Sequence, residues 1–266
     1  MASKAVRNSN KFVLLAGLPR TGSTVLANTL AQNDRFYIEG NSGLCQLMWD
    51  TQKSCNEHCF EQLNANNKLE SVRRKAIEGI QDIYYGGVSN KIILDKCRPW
   101  VLPSNMKMAQ EYISKDIKAI VMVRPIDEIV KSFAKLSFAS GGDDSIYQNL
   151  LHEESEVVMR SFYATYFAAE SNMDNLLFIS YKNIVDNLSN VISKVYEFIE
   201  EDKFLHETAY IKQTVKENDS VYDIPNMHKI RSEVSQVENE IILPDWVQEK
   251  CDFMTKILFE KIKVDA

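Results

Sequence analysis

The sequence predicts an α/β domain with a central parallel sheet flanked by helices and a mostly helical C-terminal half. Short apolar stretches of strand length alternate with segments of helical periodicity, and apolar runs without alternation are typical of strands buried on both faces of a parallel sheet. All nine glycines fall between Gly17 and Gly142, so the turn-rich half comes first. No Pro-, Gly- or Ser-rich linker divides the chain, and we therefore expect one domain over 1–266, with 1–10 as a flexible N-terminus.

Strands that alternate with helices favour parallel pairing through right-handed crossovers. The clearest helical stripe starts at Leu69 and stops before Gly86 and Gly87, and another helix starts just after Pro125. The segment at 141–144, Gly-Gly-Asp-Asp, is predicted to be the most mobile loop. The predicted strands are Lys11–Gly17, Phe36–Ile38, Lys91–Leu94, Ile117–Val123 and Leu176–Ser180. The predicted helices are Val25–Gln32, Leu69–Tyr85, Ile126–Phe138, Asn183–Glu200, Phe204–Glu217 and Trp246–Ile262.

Composition excludes several classes of function. The 266 residues are 45% hydrophobic and 26% charged, as in ordinary globular proteins, and the formal net charge is −6. A phosphate-bearing ligand must therefore be held by a few local cations, and nucleic-acid binding is not expected. No apolar run approaches the roughly 18 to 20 residues that cross a bilayer, and the polar first ten residues lack an apolar signal core. We expect a cytoplasmic protein that does not bind membranes.

The five cysteines are odd in number and scattered, so reduced thiols are expected. Cys55, His58 and Cys59, with Cys45 upstream, offer four soft ligands. Their spacing fits no familiar zinc knuckle, and buried or incidental thiols are the favoured interpretation over zinc.

The most informative segment joins the first strand to the first helix. Phe12 to Leu26 reads FVLLAGLPRTGSTVL, an apolar strand that turns through a loop into a helix. Gly17 and Gly22 have the separation found in phosphate-cradling loops, and the backbone N–H groups of residues 21–24 would point at an anion on the helix N-terminus. A nucleoside triphosphatase would carry lysine directly after the second glycine, where this chain has Ser23. A P-loop-like domain with an atypical phosphate loop is thus predicted.

The loop Gly-Leu-Pro-Arg-Thr-Gly-Ser-Thr resembles the 5′-phosphosulfate loop of sulfotransferases that use 3′-phosphoadenosine 5′-phosphosulfate (PAPS), and it is closest to the tyrosylprotein type. The resemblance implies PAPS as the donor, 3′-phosphoadenosine 5′-phosphate (PAP) as the product, and no metal. The donor-binding residues it implies in this loop are Pro19, Arg20, Thr21, Gly22, Ser23 and Thr24.

A second anion site is predicted after the fourth strand. Arg124 ends that strand, a proline opens the next helix, and Ser132 follows eight residues after the arginine. An arginine can hold a phosphate through two donors, and the serine hydroxyl adds a third. The arrangement is similar to the 3′-phosphate signature of the same family.

Two further segments agree with this order along the chain. Tyr181, at the end of the last strand, resembles the tyrosine of a family segment whose ring lies by the adenine, although Lys182 and Asn183 replace its acidic pair. Near the C-terminus the family closes the 3′-phosphate site with a basic loop, and Arg231 or Lys229 is the candidate there.

The chemistry of sulfuryl transfer requires cations at the oxygen that bridges phosphorus and sulfur, because negative charge builds there as the S–O bond breaks. Arg20, inside the loop, is the first candidate. Lys96 is the second, since it follows an apolar strand where the family places a lysine that reaches the phosphosulfate.

The general base is less clearly marked. The cytosolic type uses a histidine two residues after the lysine, where this chain has Arg98. The tyrosylprotein type uses a glutamate after the first helix. Glu39 lies two residues before the position that a direct count gives, Asn41. Glu39 is the predicted base and Asp95 the second choice, and either carboxylate can instead be structural or a partner of Arg98.

The leading hypothesis is a PAPS-dependent sulfotransferase acting on the hydroxyl of a small molecule or peptide. Residues 40–87 and 139–175 are expected to shape the acceptor pocket, and a homodimer stays open. A P-loop kinase, with Asp95 holding magnesium, is the enzymatic alternative. An inert nucleotide-binding protein is the third possibility, which the retained basic residues make unattractive.

Overall fold

The computed structural model describes residues 10–217, 219, 227–231 and 240–262. The segment 1–10, predicted to be flexible, lies outside the described residues except for Asn10. Within the described residues the sheet has five strands in the order β2-β3-β1-β4-β5, and every pairing is parallel. The strands are β1 (Lys11–Gly17), β2 (Phe36–Asn41), β3 (Ile92–Lys96), β4 (Lys118–Val123) and β5 (Leu176–Ser180). The predicted α/β class with a parallel sheet is confirmed.

Helices cover both faces of the sheet, and short turns of 3₁₀ helix (Arg98–Val101) and π helix (Ser54–His58) lie between them. None of the described helices is long and apolar enough to cross a bilayer. The α-helices before β4 are α1 (Ser23–Leu30), α2 (Leu44–Lys53), α3 (Phe60–Ala65), α4 (Leu69–Tyr84) and α5 (Pro103–Tyr112). Those after β4 are α6 (Ile126–Ala139), α7 (Ser145–Leu151), α8 (Met159–Glu170), α9 (Tyr181–Ile199) and α10 (Asp245–Phe259).

The central strand β1 is apolar throughout because both of its faces are covered. Val13 and Leu15 belong to a core shared with α1 and α9, whereas Phe12 and Leu14 belong to a core that includes Trp100. A third core joins α6, α7, α8 and α10. Burial on both faces removes the polar alternation of a half-exposed strand, which is why the sequence pattern marked this sheet so clearly.

One predicted helix is wrong. Within 204–217 the chain forms no helix, although Ile211 and Val215 are buried four residues apart as on a helical stripe. The backbone N–H groups of Thr214 and Val215 donate to the side-chain oxygen of Asn28 in α1, at 2.6 and 2.7 Å. These bonds replace the helical ones and hold the segment across α1. Strand β2 also runs on to Asn41, beyond the predicted end at Ile38, with a shift in its pairing register between the two.

Candidate active site

Parallel strands end at one edge of a sheet, and this edge carries the predicted functional residues. A cavity of about 420 Å³ opens there. It is lined by the loop after β1 and by residues at or just after the ends of β2, β3, β4 and β5, together with 227–231. Crevices at the carboxyl ends of parallel strands, beside the point where the strand order reverses, are the usual ligand sites of open α/β sheets.

The loop between β1 and α1 has the backbone of an anion cradle. Gly17 has φ 111° and Gly22 has φ 79°, both left-handed, and Arg20 is also left-handed at φ 58°. A Cβ at Gly17 would lie 2.3 Å from the carbonyl oxygen of Met122, so the close approach of β4 requires glycine there. Gly22 caps α1 without a side-chain hydrogen bond, and the N-terminus of that helix faces the cavity.

Lys96 enters this cradle from the end of β3. The lysine is 6% exposed, and its ammonium nitrogen donates to Thr24 Oγ1 at 3.2 Å. It also forms an ion pair with Oε1 of Glu217, an oxygen that accepts from Thr24 Oγ1 at 3.1 Å. Burial lowers the pKa of Lys96, and the Glu217 carboxylate opposes that shift. The structure therefore brings Lys96 and Thr24 together, and a carboxylate holds both of them.

Glu217 is a residue that sequence reasoning missed, because it lies at the end of a segment predicted to be an amphipathic helix packed on the sheet. Its side chain is 2% exposed. The backbone of Gly40 makes room for it, since a Cβ at Gly40 would lie 2.8 Å from Glu217 Cγ and 2.7 Å from the carbonyl oxygen of Lys216. The glycine after Glu39 is the one sequence signal of this close approach.

His228 lies on the other side of the same carboxylate. Its Nε2 is 3.1 Å from Glu217 Oε2, and its Nδ1 is 2.6 Å from Asp219 Oδ1. The backbone N–H of His228 donates to Asp219 Oδ2 at 3.1 Å, so one carboxylate fixes both the ring and the chain. Burial lowers the pKa of His228, although both carboxylates oppose the shift. The ring is thus held with Nε2 directed to the cradle.

Arg124 and Ser132 line the cavity on the β4 side, and they are joined to the loop. Arg124 Nη1 donates to the carbonyl oxygen of Arg20 at 2.8 Å, while its Nε donates to Glu128 at 2.9 Å. Arg20 Nε donates to Ser132 Oγ at 3.1 Å, and Arg20 Nη1 donates to the carbonyl oxygen of Met227. Burial, followed by the charge of Arg124, lowers the pKa of Arg20. Both predicted anion sites therefore face one cavity and share hydrogen bonds.

The remaining predicted contacts fall around Arg124. Its guanidinium carbon lies 3.9 Å from the centre of the Tyr181 ring, a cation–π contact that fixes the ring at the start of α9. Lys229 and Arg231 line the same cavity with exposed side chains. The other loop residues of the prediction, Pro19, Thr21 and Ser23, line it too. Thr21 is fully buried, and its hydroxyl donates to the carbonyl oxygen of Leu18 at 2.9 Å.

The two predicted base candidates lie elsewhere. Glu39 is exposed, does not line the cavity, and accepts a 2.6 Å hydrogen bond from the Tyr37 hydroxyl, which raises the pKa of Tyr37 to about 12. Asp95 is fully buried and structural. Its carboxylate oxygens accept hydrogen bonds of 2.6 to 2.7 Å from the Ser42 and Tyr85 hydroxyls and from the Trp100 indole N–H. Asn41, the residue given by the direct count, does line the cavity.

The cysteine cluster lies apart from this cavity. Cys55 and His58 belong to the π-helical turn, with Cys55 buried and Cys59 exposed just after it. Among the residues with described positions, no three His, Cys, Asp or Glu side chains are grouped so that they would hold a metal ion.

Comparisons with known proteins bear on the family and the fold of this chain. A model described as "Sulfotransferase family" matches residues 13–204. The sulfotransferase domain of the Synechococcus PCC 7002 olefin synthase has 16% identity and a TM-score of 0.61, covering 97% of this chain and 96% of that one. The sulfotransferase domain of the curacin biosynthetic pathway has 15% identity and a TM-score of 0.57, covering 92% and 97%. Retinol dehydratase in a complex with retinol and PAP has 12% identity and a TM-score of 0.50, covering 98% and 84%.

At these identities the solved structures show the shared fold, while the family model covers most of the chain. A search of the curated proteins gave no match.

Proposed function

Since the chain belongs to the sulfotransferase family, and is on that ground an enzyme of sulfuryl transfer, we propose that it moves the sulfuryl group of PAPS to an acceptor hydroxyl by in-line transfer. One observation carries the choice of donor. The loop after β1 and the Arg124–Ser132 pair face the same cavity and share hydrogen bonds through Arg20. An adenosine with anions at both its 5′ and 3′ positions needs two such sites. The PAP bound to a retinol dehydratase of this fold supports the same donor.

The residues of the cavity fit this donor in kind and number. Among the residues that the structure describes, seven Lys or Arg side chains line it and no Asp or Glu does, although the whole chain is acidic. We assign the 5′ end to the amides of residues 21–24 and to Arg20 and Lys96, in line with the tyrosylprotein-type loop that the sequence resembles. The 3′-phosphate goes to Arg124 and Ser132, with Arg231 or Lys229 closing the site, and the Tyr181 ring lies by the base.

The donor supplies an activated sulfuryl group and a phosphate leaving group. Arg20 and Lys96 act on the oxygen that bridges the sulfuryl and phosphate groups, where their positive charges stabilise the negative charge that grows when the S–O bond breaks. For this role the Arg20 guanidinium must release Ser132 and Met227 when the donor binds. Lys96 is buried, which strengthens this interaction compared with a lysine in water. Neither role needs a metal ion.

For the acceptor proton, the geometry favours His228 over Glu39. Glu39 is exposed and outside the cavity lining, while His228 lines the cavity. Asp219 accepts from Nδ1 and fixes the ring, and burial lowers the pKa of His228, which favours the neutral form that a base requires. Nε2 lies 3.1 Å from Glu217 Oε2, so this carboxylate must move away before the acceptor hydroxyl passes its proton to Nε2 as its oxygen bonds to sulfur.

Three coarser parts of the proposal rest on the sequence. The acceptor is a small molecule or peptide with a hydroxyl group, and the chain forms one domain over 1–266. The proposed location is the cytoplasm, where the five scattered cysteines would stay reduced.

The test is to incubate the purified protein with sulfur-labelled PAPS and a metabolite extract, and to follow label by mass spectrometry. We expect a sulfated product without added metal, and PAP binding by calorimetry. Magnesium-dependent turnover of ATP with no binding of PAP would instead identify a P-loop kinase. The three hydrogen bonds on Asp95 argue against that alternative, because they occupy the carboxylate that would hold magnesium.

A further inference from the structure

The order of the strands separates the two ends of the cavity. Arg124 follows β4 and Tyr181 follows β5, both on one side of β1, whereas Asn41 and Lys96 end β2 and β3 on the other side. Neighbouring strands lie about 4.8 Å apart, so β3 and β4 are separated by roughly 10 Å. With the adenosine of the proposed donor on the β4–β5 side, the acceptor must approach from the β2–β3 side.

Arg98 stands at this acceptor end. It lines the cavity two residues after Lys96 and is close enough to Lys96 to contribute to the lowering of that lysine's pKa. Its backbone is firmly held. Pro99 follows it in the 3₁₀ turn, Trp100 is fully buried and bonded to Asp95 at 2.6 Å, and the Cys97 N–H donates to the carbonyl oxygen of Leu15 at 3.0 Å.

Arg98 differs from the other cations of the cavity in its partners. Arg124 pairs with Glu128, Lys96 pairs with Glu217, and Arg20 donates to Ser132. Lys135, Lys229 and Arg231 are exposed to water. Arg98 is half-buried, and across the described ranges no hydrogen bond, ion pair or ring contact of its guanidinium is found.

A partly desolvated guanidinium without a carboxylate is unfavourable unless a ligand supplies the missing charge. The carboxylates of strands β2 and β3, at this end of the cavity, are committed elsewhere, since Asp95 accepts three hydrogen bonds and Glu39 accepts one from Tyr37. The proposed donor already has Arg20 and Lys96 at one end and Arg124 at the other. Arg98 is therefore available to bind the second substrate, the acceptor.

We propose that the acceptor is an anionic hydroxyl compound, and that its carboxylate or phosphate group binds the guanidinium of Arg98. The assignment rests on the proposed function and specifies its substrate class. A planar guanidinium binds either oxyanion through two parallel N–H donors. It thereby orients the acceptor hydroxyl towards Lys96 and the sulfuryl group. Neutral alcohols and phenols of the same shape lack this contact.

The test uses matched pairs of acceptors that differ in charge. Suitable pairs are 4-hydroxyphenylacetate with its amide, 3-hydroxybutanoate with its amide, and glycerol 3-phosphate with glycerol. Turnover with labelled PAPS and binding to the PAP-loaded protein are measured for wild type, Arg98→Gln and Arg98→Lys. Lys107→Gln is the matched control, because it removes one positive charge from an exposed position on α5 outside the cavity.

We expect at least one anion to be preferred over its neutral partner by about tenfold to hundredfold, the usual effect of one charge-assisted contact. Arg98→Gln should abolish that preference by raising KM for the anionic acceptor. Arg98→Lys should restore part of the preference, and Lys107→Gln should retain it. Affinity for PAP should be unchanged in all variants.

Two results would overturn the assignment while leaving the donor site intact: no preference for the anion in any pair, in turnover or in binding, or an equal loss of kcat for both members of a pair in Arg98→Gln. The second result would mean that Arg98 contacts the transferred group. The separate failure of wild-type protein to bind PAP would refute the proposed function itself.

Discussion

Replacing Arg124 by alanine should weaken binding of PAP far more than binding of adenosine 5′-phosphate, which lacks the 3′-phosphate. Two charge-assisted N–H···O bonds from a guanidinium contribute about 3 kcal/mol. The bond from Arg124 Nε to Glu128, which is 43% exposed, must be given up on binding, and such a surface pair is worth about 0.5 kcal/mol. The difference corresponds to a loss of roughly 50- to 100-fold in PAP affinity.

Calorimetry with both nucleotides measures this directly. Glu128→Gln is the control, because it removes the ion pair and keeps the guanidinium, so PAP affinity should stay the same or rise slightly. Arg124 also holds the carbonyl oxygen of Arg20 at 2.8 Å, and loosening the loop would weaken both nucleotides alike. Equal losses for PAP and adenosine 5′-phosphate would therefore refute the assignment of Arg124 to the 3′-phosphate.

Three other variants test the rest of the cavity. Arg20→Ala should lower kcat by about 10² to 10³, the usual loss for one transition-state donor, with little change in PAP affinity; a rate near wild type would remove Arg20 from the chemistry. Glu217→Gln should tighten PAP binding by about tenfold to hundredfold, because the carboxylate on Lys96 and Thr24 repels an incoming anion at close range; unchanged affinity would contradict this. Burial lowers the pKa of His228, so kcat/KM should stay constant as the pH is lowered to 6.5 and should fall below that pH as the ring gains a proton. His228→Gln should turn over slowly and should no longer show the fall of kcat/KM at low pH. If the variant keeps the wild-type rate and this pH dependence, His228 is excluded as the base.

The sequence was most informative where local chemistry and chain order act together. The glycines at 17 and 22 and the apolar run before them predicted the cradle, because left-handed backbone and close approach of β4 restrict those positions to glycine. Arg124 and Lys96 were identified because each lies at or just after the end of a buried strand, and the ends of parallel strands meet at one edge. Such features are encoded within a few neighbouring residues.

Contacts between segments that are distant in the chain could not be predicted from the sequence in this way. Glu217 lies 121 residues from Lys96 in the chain. The backbone N–H groups of Thr214 and Val215 donate to the side chain of Asn28 in α1, more than 180 residues away. The spacing of Ile211 and Val215 matches a helix, yet tertiary hydrogen bonds determine the backbone there. Glu39 lies two residues before the expected position, and the structure places Asn41, at the end of β2, in the cavity lining and leaves Glu39 outside it.

A crystal structure of the protein with PAP tests the central claim most directly. We predict one PAP molecule with its 5′-phosphate on the amides of residues 21–24 and its 3′-phosphate within about 3 Å of Arg124 and Ser132. The carboxylate of Glu217 should then have left Thr24. A complex in which one molecule of PAP does not reach both sites, or binds away from this edge of the sheet, would contradict the account.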